Sequence, residues 1–269
     1  MKLTQRTLLV VGATSGLGRE LVRQLLQREN RVIAFSRRAG ALAEDPDFRG
    51  KGGLLLHPGD VRRPEDIARL GEFLQREAPD LDGVFYCAGV SRPDFVEAPD
   101  LARTLDTIRV NFEGAVRLID LTLPGLRRRP EAVLAGFTSM AAVRGMPRGG
   151  AYCASKAALE RYLDCLRIDL YGSAIRVITI APGYVATPMS AQNRFPMPGI
   201  WPVERGVRHV LACIEAGHDI IRFPWYHAWG MTLLSWLPDR VYWWLAHRYR
   251  TQVRIQPQAH DEFQWPVEP

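Results

Sequence analysis

Thr7-Leu8-Leu9-Val10-Val11-Gly12-Ala13-Thr14-Ser15-Gly16-Leu17-Gly18 is the stretch on which the fold turns. Its first five residues form a short apolar run rich in β-formers and read as a buried strand. The next seven carry three glycines, and residues 19–28 continue an apolar repeat at helical spacing through Leu17, Leu21 and Leu25. Strand, glycine-rich turn and helix, in that order, form the setting of a dinucleotide site. The glycines permit a tight turn and let the backbone approach a pyrophosphate, which sits against the positive end of the helix. The spacing is G-x-x-x-G-x-G, and a glycine-rich loop alone is only turn chemistry. Its placement makes Gly12, Thr14, Ser15, Gly16, Leu17 and Gly18 the candidate cofactor loop.

Outward from that stretch, Arg31-Val32-Ile33-Ala34-Phe35 reads as a second strand and ends in Ser36-Arg37-Arg38. An acid at this distance would hold a ribose 2′-hydroxyl, and an arginine would accept a 2′-phosphate instead. Position 36 carries no carboxylate, so Ser36, Arg37 and Arg38 predict NADP(H) rather than NAD(H). Further apolar runs at Leu54-Leu55-Leu56, Gly83-Val84-Phe85-Tyr86, Ala132-Val133-Leu134-Ala135-Gly136-Phe137 and Ile175-Arg176-Val177-Ile178-Thr179-Ile180 alternate with helical stretches, among them 101–126 and 151–171. Such alternation predicts βαβ units in a single Rossmann-type, doubly wound parallel sheet with helices on both faces. With 269 residues, 47% of them hydrophobic, one α/β core can be well buried. Residues 1–223 are expected to form the catalytic domain, and 224–269 an apolar helical extension of the same domain.

Chemistry enters at Gly150-Ala151-Tyr152-Cys153-Ala154-Ser155-Lys156. Positions four apart share a helix face, so the Tyr152 phenol and the Lys156 ammonium can enter one site. A nearby ammonium favours the phenolate and is expected to lower the phenol's pKa, making it a proton donor and acceptor near neutrality. Alone the pair is weak evidence, because Tyr and Lys at this spacing usually mark a solvated helix edge.

The chain resembles the short-chain dehydrogenase/reductase family from about residue 6 to about 190. Val11-Gly12-Ala13-Thr14-Ser15-Gly16-Leu17-Gly18 is similar to that family's TGxxxGxG loop, with Val11 where Thr is usual. Asp60-Val61 is similar to the pair that contacts adenine. Cys87-Ala88-Gly89 matches the end of the NNAG motif, with Tyr86-Cys87 in place of two asparagines. Asn111 stands where the family holds a proton-relay water, and Ser139 stands where it has its catalytic serine, thirteen residues before Tyr152. Pro182-Gly183-Tyr184-Val185-Ala186-Thr187 resembles the PGxVxT segment that closes over the nicotinamide. The departures remove a hydroxyl and side-chain hydrogen bonds that brace the loop, at about 1 kcal/mol each where a polar neighbour stays unpaired.

The resemblance implies that Tyr152 donates the proton to a substrate carbonyl oxygen and that Ser139 hydrogen-bonds that oxygen. It implies that Lys156 tunes the phenol and holds the nicotinamide ribose, while Asn111 positions a water. Ala88, Gly89, Pro182, Gly183, Val185 and Thr187 join the implied cofactor contacts, and a homo-oligomer is implied too. The expected activity is NADP(H)-dependent reduction of a carbonyl, or the reverse oxidation of a secondary alcohol. Two alternatives stand beside it: a 3-oxoacyl thioester reductase, and a non-catalytic NADP-sensing or scaffolding protein. The complete Asn-Ser-Tyr-Lys set argues against the last.

The formal charge of +6 invites a nucleic-acid reading, which the distribution excludes: only Lys2, Lys51 and Lys156 are lysines, and the arginines are scattered apart from Arg127-Arg128-Arg129. Cys87, Cys153, Cys165 and Cys213 show no metal-binding spacing, so no metal is expected. A strand beginning at residue 7 leaves no room for a signal peptide, and a cytoplasmic protein is expected. The second informative region is the tail, where Trp225, Trp229, Trp236, Trp243 and Trp244 are five of seven tryptophans. Pro238-Asp239-Arg240 splits its apolar run into pieces too short to span a bilayer, which needs about 20 apolar residues. The favoured reading is a lid over an apolar substrate pocket. The sharper reading is an interfacial contact with the inner membrane face through 225–250, helped by Arg248 and Arg250. The Pro-rich end past residue 254 reads as a loosely held terminus.

Overall fold

The computed structural model describes residues 2–193 and 195–252. Among these residues nine strands appear: β1 (Thr7–Val11), β2 (Arg31–Ser36), β3 (Leu54–Pro58), β4 (Gly83–Tyr86), β5 (Ala132–Phe137), β6 (Ile175–Pro182), β7 (Val185–Ala186), β8 (Trp201–Pro202) and β9 (Ile220–Phe223). Between and after them run α1 (Gly16–Leu26), α2 (Ala41–Glu44), α3 (Pro64–Glu77), α4 (Leu101–Ile108), α5 (Gly114–Leu126), α6 (Gly150–Asp169), α7 (Val203–Glu215), α8 (Trp225–Trp236) and α9 (Asp239–Gln252). Seven strands make one sheet in the order β3-β2-β1-β4-β5-β6-β9, every neighbouring pair parallel. The chain therefore starts in the middle, winds to one edge, crosses back and winds to the other. That is the doubly wound sheet expected from the alternation of strands and helices.

Period-two side-chain alternation explains why both faces carry helices. Leu8 and Val10 of β1 pack with Leu21 and Leu25 of α1 and with Val207, Val210 and Leu211 of α7. Leu9 and Val11 face the other way, into a cluster with Ile67 and Leu70 of α3, Leu118 of α5 and Leu159 and Leu163 of α6. A strand buried on both faces has no polar face to show, so its sequence reads as a continuous apolar run.

Three elements depart from the sequence expectation. The stretch 101–126 is two helices joined by one π-helical turn, Arg109–Glu113. There the Tyr86 hydroxyl donates to the Val110 carbonyl, and a Cβ on Gly114 would meet that hydroxyl at 2.6 Å. Strand β9 and helix α7, absent from the sequence reading, complete the sheet edge. Past Pro238 the chain forms a full helix of 14 residues, in which polar residues such as His247 and Arg250 continue the apolar piece. Residues 253–269, including the Pro-rich end, lie outside the described residues.

Candidate active site

The carboxyl ends of β1, β4, β5 and β6 deliver the predicted residues to one side of the sheet. At the end of β1, Gly12 has φ +82°, and a Cβ there would meet the Ala88 backbone nitrogen at 2.6 Å. A Cβ on Gly18 would meet the Gly12 carbonyl oxygen at 2.2 Å. Both glycines are therefore required by backbone packing. Ser15 precedes α1 in extended conformation with no side-chain cap on the helix, which leaves the first N–H groups of α1 available to an anion. Thr14 accepts a hydrogen bond from Ser36 at 3.3 Å, joining the loop to the end of β2. Gly16 (φ +51°) lies opposite Thr187, whose Cβ and Cγ2 would be 3.3 Å from an added Cβ.

Ser139 follows β5, and its oxygen accepts from the Ala141 N–H at 3.1 Å while its hydroxyl hydrogen-bonds the Tyr152 phenol. Lys156 is buried at 4% exposure, and its ammonium donates to the Phe137 carbonyl at 2.8 Å. Gly89 is what lets these groups approach: an added Cβ would stand 3.2 Å from Lys156 Nζ and 3.4 Å from Asn111 Oδ1. Asn111 is fully buried in the π turn. Its Oδ1 accepts from Val90 N at 2.8 Å, and its Nδ2 donates to Val90 O at 2.9 Å and to Ser155 Oγ at 3.0 Å. Its amide thus pins the Gly89–Val90 loop against α6.

The electrostatics correct one expectation. Burial pushes the Tyr152 phenol up, with the Ser139 hydrogen bond acting against it. The same burial brings Lys156 down to about 8. Desolvation, which penalises whichever form is charged, dominates both groups, and the ammonium–phenolate attraction that the spacing suggested is not among the causes of either shift. Burial also pushes up the Cys87 thiol.

The structure gives Asp60 and Val61, at the far end of the groove, partners within the protein. Val61 turns inward against Gly114, where an added Cβ would meet Val61 Cβ at 2.8 Å, so its side chain packs in the core. The Asp60 carboxylate is taken up by Arg62, whose Nε lies 2.9 Å from Oδ1 and whose Nη1 reaches Asp106 at 2.6 Å. Those bonds hold Asp60 below the usual carboxylate range. Arg37 and Arg38 are exposed, and neither forms an ion pair with a described residue. Arg37 lies near enough to Asp60 to help stabilise its charge.

Ser139, Tyr152 and Lys156 open onto a cavity of about 1480 Å³, whose wall also includes Leu17, Cys87, Gly89, Pro182, Gly183, Val185 and Thr187. Gly12 to Gly16, Ser36 to Arg38 and Asp60 lie outside this wall, along the open strand ends. The sequence reading missed several wall residues: Tyr184, Met189 and Phe195 from the segment after β6, and Tyr226, His227, Met231 and Leu234 from α8. His227 lies over Gly183, where a Cβ would clash at 2.5 Å, and shares a hydrogen bond with the Pro198 carbonyl at 2.8 Å. Only the aromatic density of the tail hinted at them. Among the described residues no group of His, Cys, Asp and Glu could hold a metal.

A family model described as short chain dehydrogenase matches residues 6–197. An uncharacterized oxidoreductase of Myxococcus xanthus is 34% identical over 93% of this chain and 99% of its own length. The ketoacyl reductase HetN of a Nostoc species is 29% identical over 73% of this chain and 69% of that protein. A short chain dehydrogenase from Burkholderia cenocepacia, solved in complex with NADP, superposes with a TM-score of 0.73 at 27% identity, covering 86% of this chain and 95% of the other.

Proposed function

The chain belongs to the short-chain dehydrogenase family of oxidoreductases, and within it we propose an NADP(H)-dependent reductase of apolar carbonyl compounds, or the reverse alcohol dehydrogenase. The observation that carries this reading is the meeting of Ser139, Tyr152 and Lys156 on one cavity wall. The glycine cradle fits the cofactor. Gly12 and Gly16 adopt positive φ, and the α1 N-terminus they lead into has no side-chain cap. Arg37 and Arg38, unpaired at the end of β2, suit a 2′-phosphate, which a carboxylate at Ser36 would repel. A neighbour of the same fold holds NADP.

When bound, the nicotinamide supplies or accepts the hydride. This chain's residues do the rest. Tyr152 gives its phenolic proton to the carbonyl oxygen as negative charge develops there, and Ser139 hydrogen-bonds the same oxygen. Lys156 brings a cation one helical turn along the same face of α6, onto the same cavity wall as the phenolate that forms. Although burial lowers its pKa to about 8, it is still mostly charged at neutrality, and it gives up a proton more readily than an ordinary lysine. Asn111 fixes the loop that brings Gly89 against the ammonium. Met146, Met189, Phe195, Met231 and Leu234 give the cavity an apolar wall suited to a lipophilic substrate. A 3-oxoacyl thioester is the second substrate class, supported by the ketoacyl reductase relative. The test is NADPH oxidation across ketones, quinones and 3-oxoacyl thioesters. A cofactor-binding protein that turns over none of them would favour the sensor reading.

A further inference from the structure

Helix α8 has two unlike sides. Trp225, Trp229, Leu233 and Trp236 fall within about 80° of arc at 100° per residue, and the three tryptophans are 68%, 63% and 73% exposed. The opposite side carries His227, Met231 and Leu234, which line the cavity. Helix α9 is exposed over most of its surface: Val241, Trp243, Trp244 and Leu245 all face outward, Arg248 lies over the Trp244 ring at 5.5 Å, and Tyr242 is the buried side chain among those described. Folding normally buries a tryptophan, so exposed apolar rings in this number mark a contact surface.

We propose that the outer surface of α8 and α9 docks on an anionic lipid bilayer. No helix among the described residues is long and apolar enough to cross a membrane, so the contact is interfacial, at the depth where tryptophan is favoured. Charge selects the occupant. Residues 225–252 contain a single carboxylate, Asp239, and Arg144 already binds it. Arg250 is answered by Glu97 from outside this stretch, so the positive charge of this surface rests on Arg240. A second copy of the chain meeting the same patch in two-fold symmetry would oppose Arg240 to like charge with no carboxylate free to answer it. Lipid phosphates supply the missing charge. Because one side of α8 lines the cavity and the other meets lipid, the cavity lies about one helix diameter, roughly 10 Å, from the bilayer.

The experiment uses the full chain without substrate or cofactor, so its result is independent of the proposed reaction. Sedimentation is measured with vesicles of phosphatidylcholine alone and mixed with phosphatidylglycerol, alongside tryptophan quenching by brominated acyl chains. The wild type should bind the anionic vesicles, lose binding as salt rises, and show quenched tryptophans. Trp225→Ser/Trp229→Ser/Trp236→Ser should weaken binding by roughly tenfold or more, with an unchanged circular-dichroism melt. If that variant melts early, Arg240→Glu carries the test by reducing the preference for phosphatidylglycerol. Absence of wild-type binding to both vesicles would overturn the proposal. So would a lipid-indifferent dimer that the tryptophan substitutions dissociate, which would assign the patch to a second copy.

Discussion

All five residues of β1 are buried, whereas α8 and α9 bury only Met231 and Tyr242 among their described side chains. The strand ends after β4, β5 and β6 and the inner side of α8 line the same cavity. The sheet holds its site residues by backbone geometry and two apolar layers, and Gly12, Gly18 and Gly89 leave the surrounding atoms almost no room to move. The tail is held by a few polar anchors: Arg144 to the Leu234 and Leu237 carbonyls at 2.8 Å each, Tyr242 to the Gly145 carbonyl, and Arg250 to Glu97. One region is built to fix atoms, the other to cover them. Substitutions in the sheet should therefore change chemistry and cofactor choice, and substitutions in the tail should change substrate access.

The largest effect is expected at the phenol. Tyr152→Phe removes the proton donor and should lower kcat by about 10²–10⁴, while the dissociation constant for NADPH, measured by fluorescence titration, stays within about twofold of wild type. Lys156→Ala should damage both quantities. A Tyr152→Phe enzyme running at wild-type speed would remove the acid from the mechanism.

Cofactor choice comes next. Charge-assisted hydrogen bonds from Arg37 to a phosphate contribute about 1.5–3 kcal/mol, or roughly tenfold to a hundredfold in affinity. Arg37→Ala should erode the preference for NADPH by that factor and leave NADH binding unchanged. Equal dissociation constants for the two cofactors in the wild type would refute this reading of the β2 end.

The tail side of the comparison is tested at Arg144. Its guanidinium satisfies two end carbonyls of α8, binds Asp239, and stacks on Tyr242 at 4.1 Å from the ring centroid. Arg144→Ala should loosen the α8 wall and raise KM for apolar substrates by roughly tenfold, with kcat nearly unchanged. Arg144→Lys should recover only part of the loss, because an ammonium cannot repeat the forked geometry. If KM did not move, the tail would be no part of the substrate site.

The same division explains what could be read in advance. β1, β4 and β5 appear at their predicted bounds because strands buried on both sides leave an unbroken apolar run. β9 escaped because it is an edge strand whose Ile220 and Arg222 are exposed, so four residues carry too little pattern. The π turn was invisible because it depends on a contact across the fold, Tyr86 with Val110 and Gly114. Ser139, Tyr152, Lys156 and Asn111 were legible as a spaced set, since local secondary structure fixes where each points. The partners of Val61 and Asp60, Gly114 and Arg62, were not legible, because they come from other parts of the chain or depend on how the loop turns. Arg144 gave no signal at all: a single arginine in a loop shows its worth only when a helix 90 residues later arrives beside it.

The smallest effect concerns Lys156, the one place where the sheet region buries a cation as if it were apolar. Its folded pKa of about 8 lies below the ordinary lysine value of about 10.4. Below pH 8 the ammonium is charged in both folded and unfolded chains, and the folded state bears the full desolvation cost. As pH rises through 8 the folded protein releases this proton before the unfolded chain does, so the unfolded state binds more protons and stability rises with pH. Groups whose pKa is raised on folding, such as the buried Cys87 thiol, act in the opposite direction at higher pH, so the wild-type curve alone cannot isolate the lysine. The difference from Lys156→Met can. Denaturant unfolding from pH 7 to 9.5 should show the wild type gaining on the variant by on the order of 1 kcal/mol across the upper part of that window. Parallel curves would mean that Lys156 carries no desolvation cost and that its ammonium stays as well solvated as one at the surface.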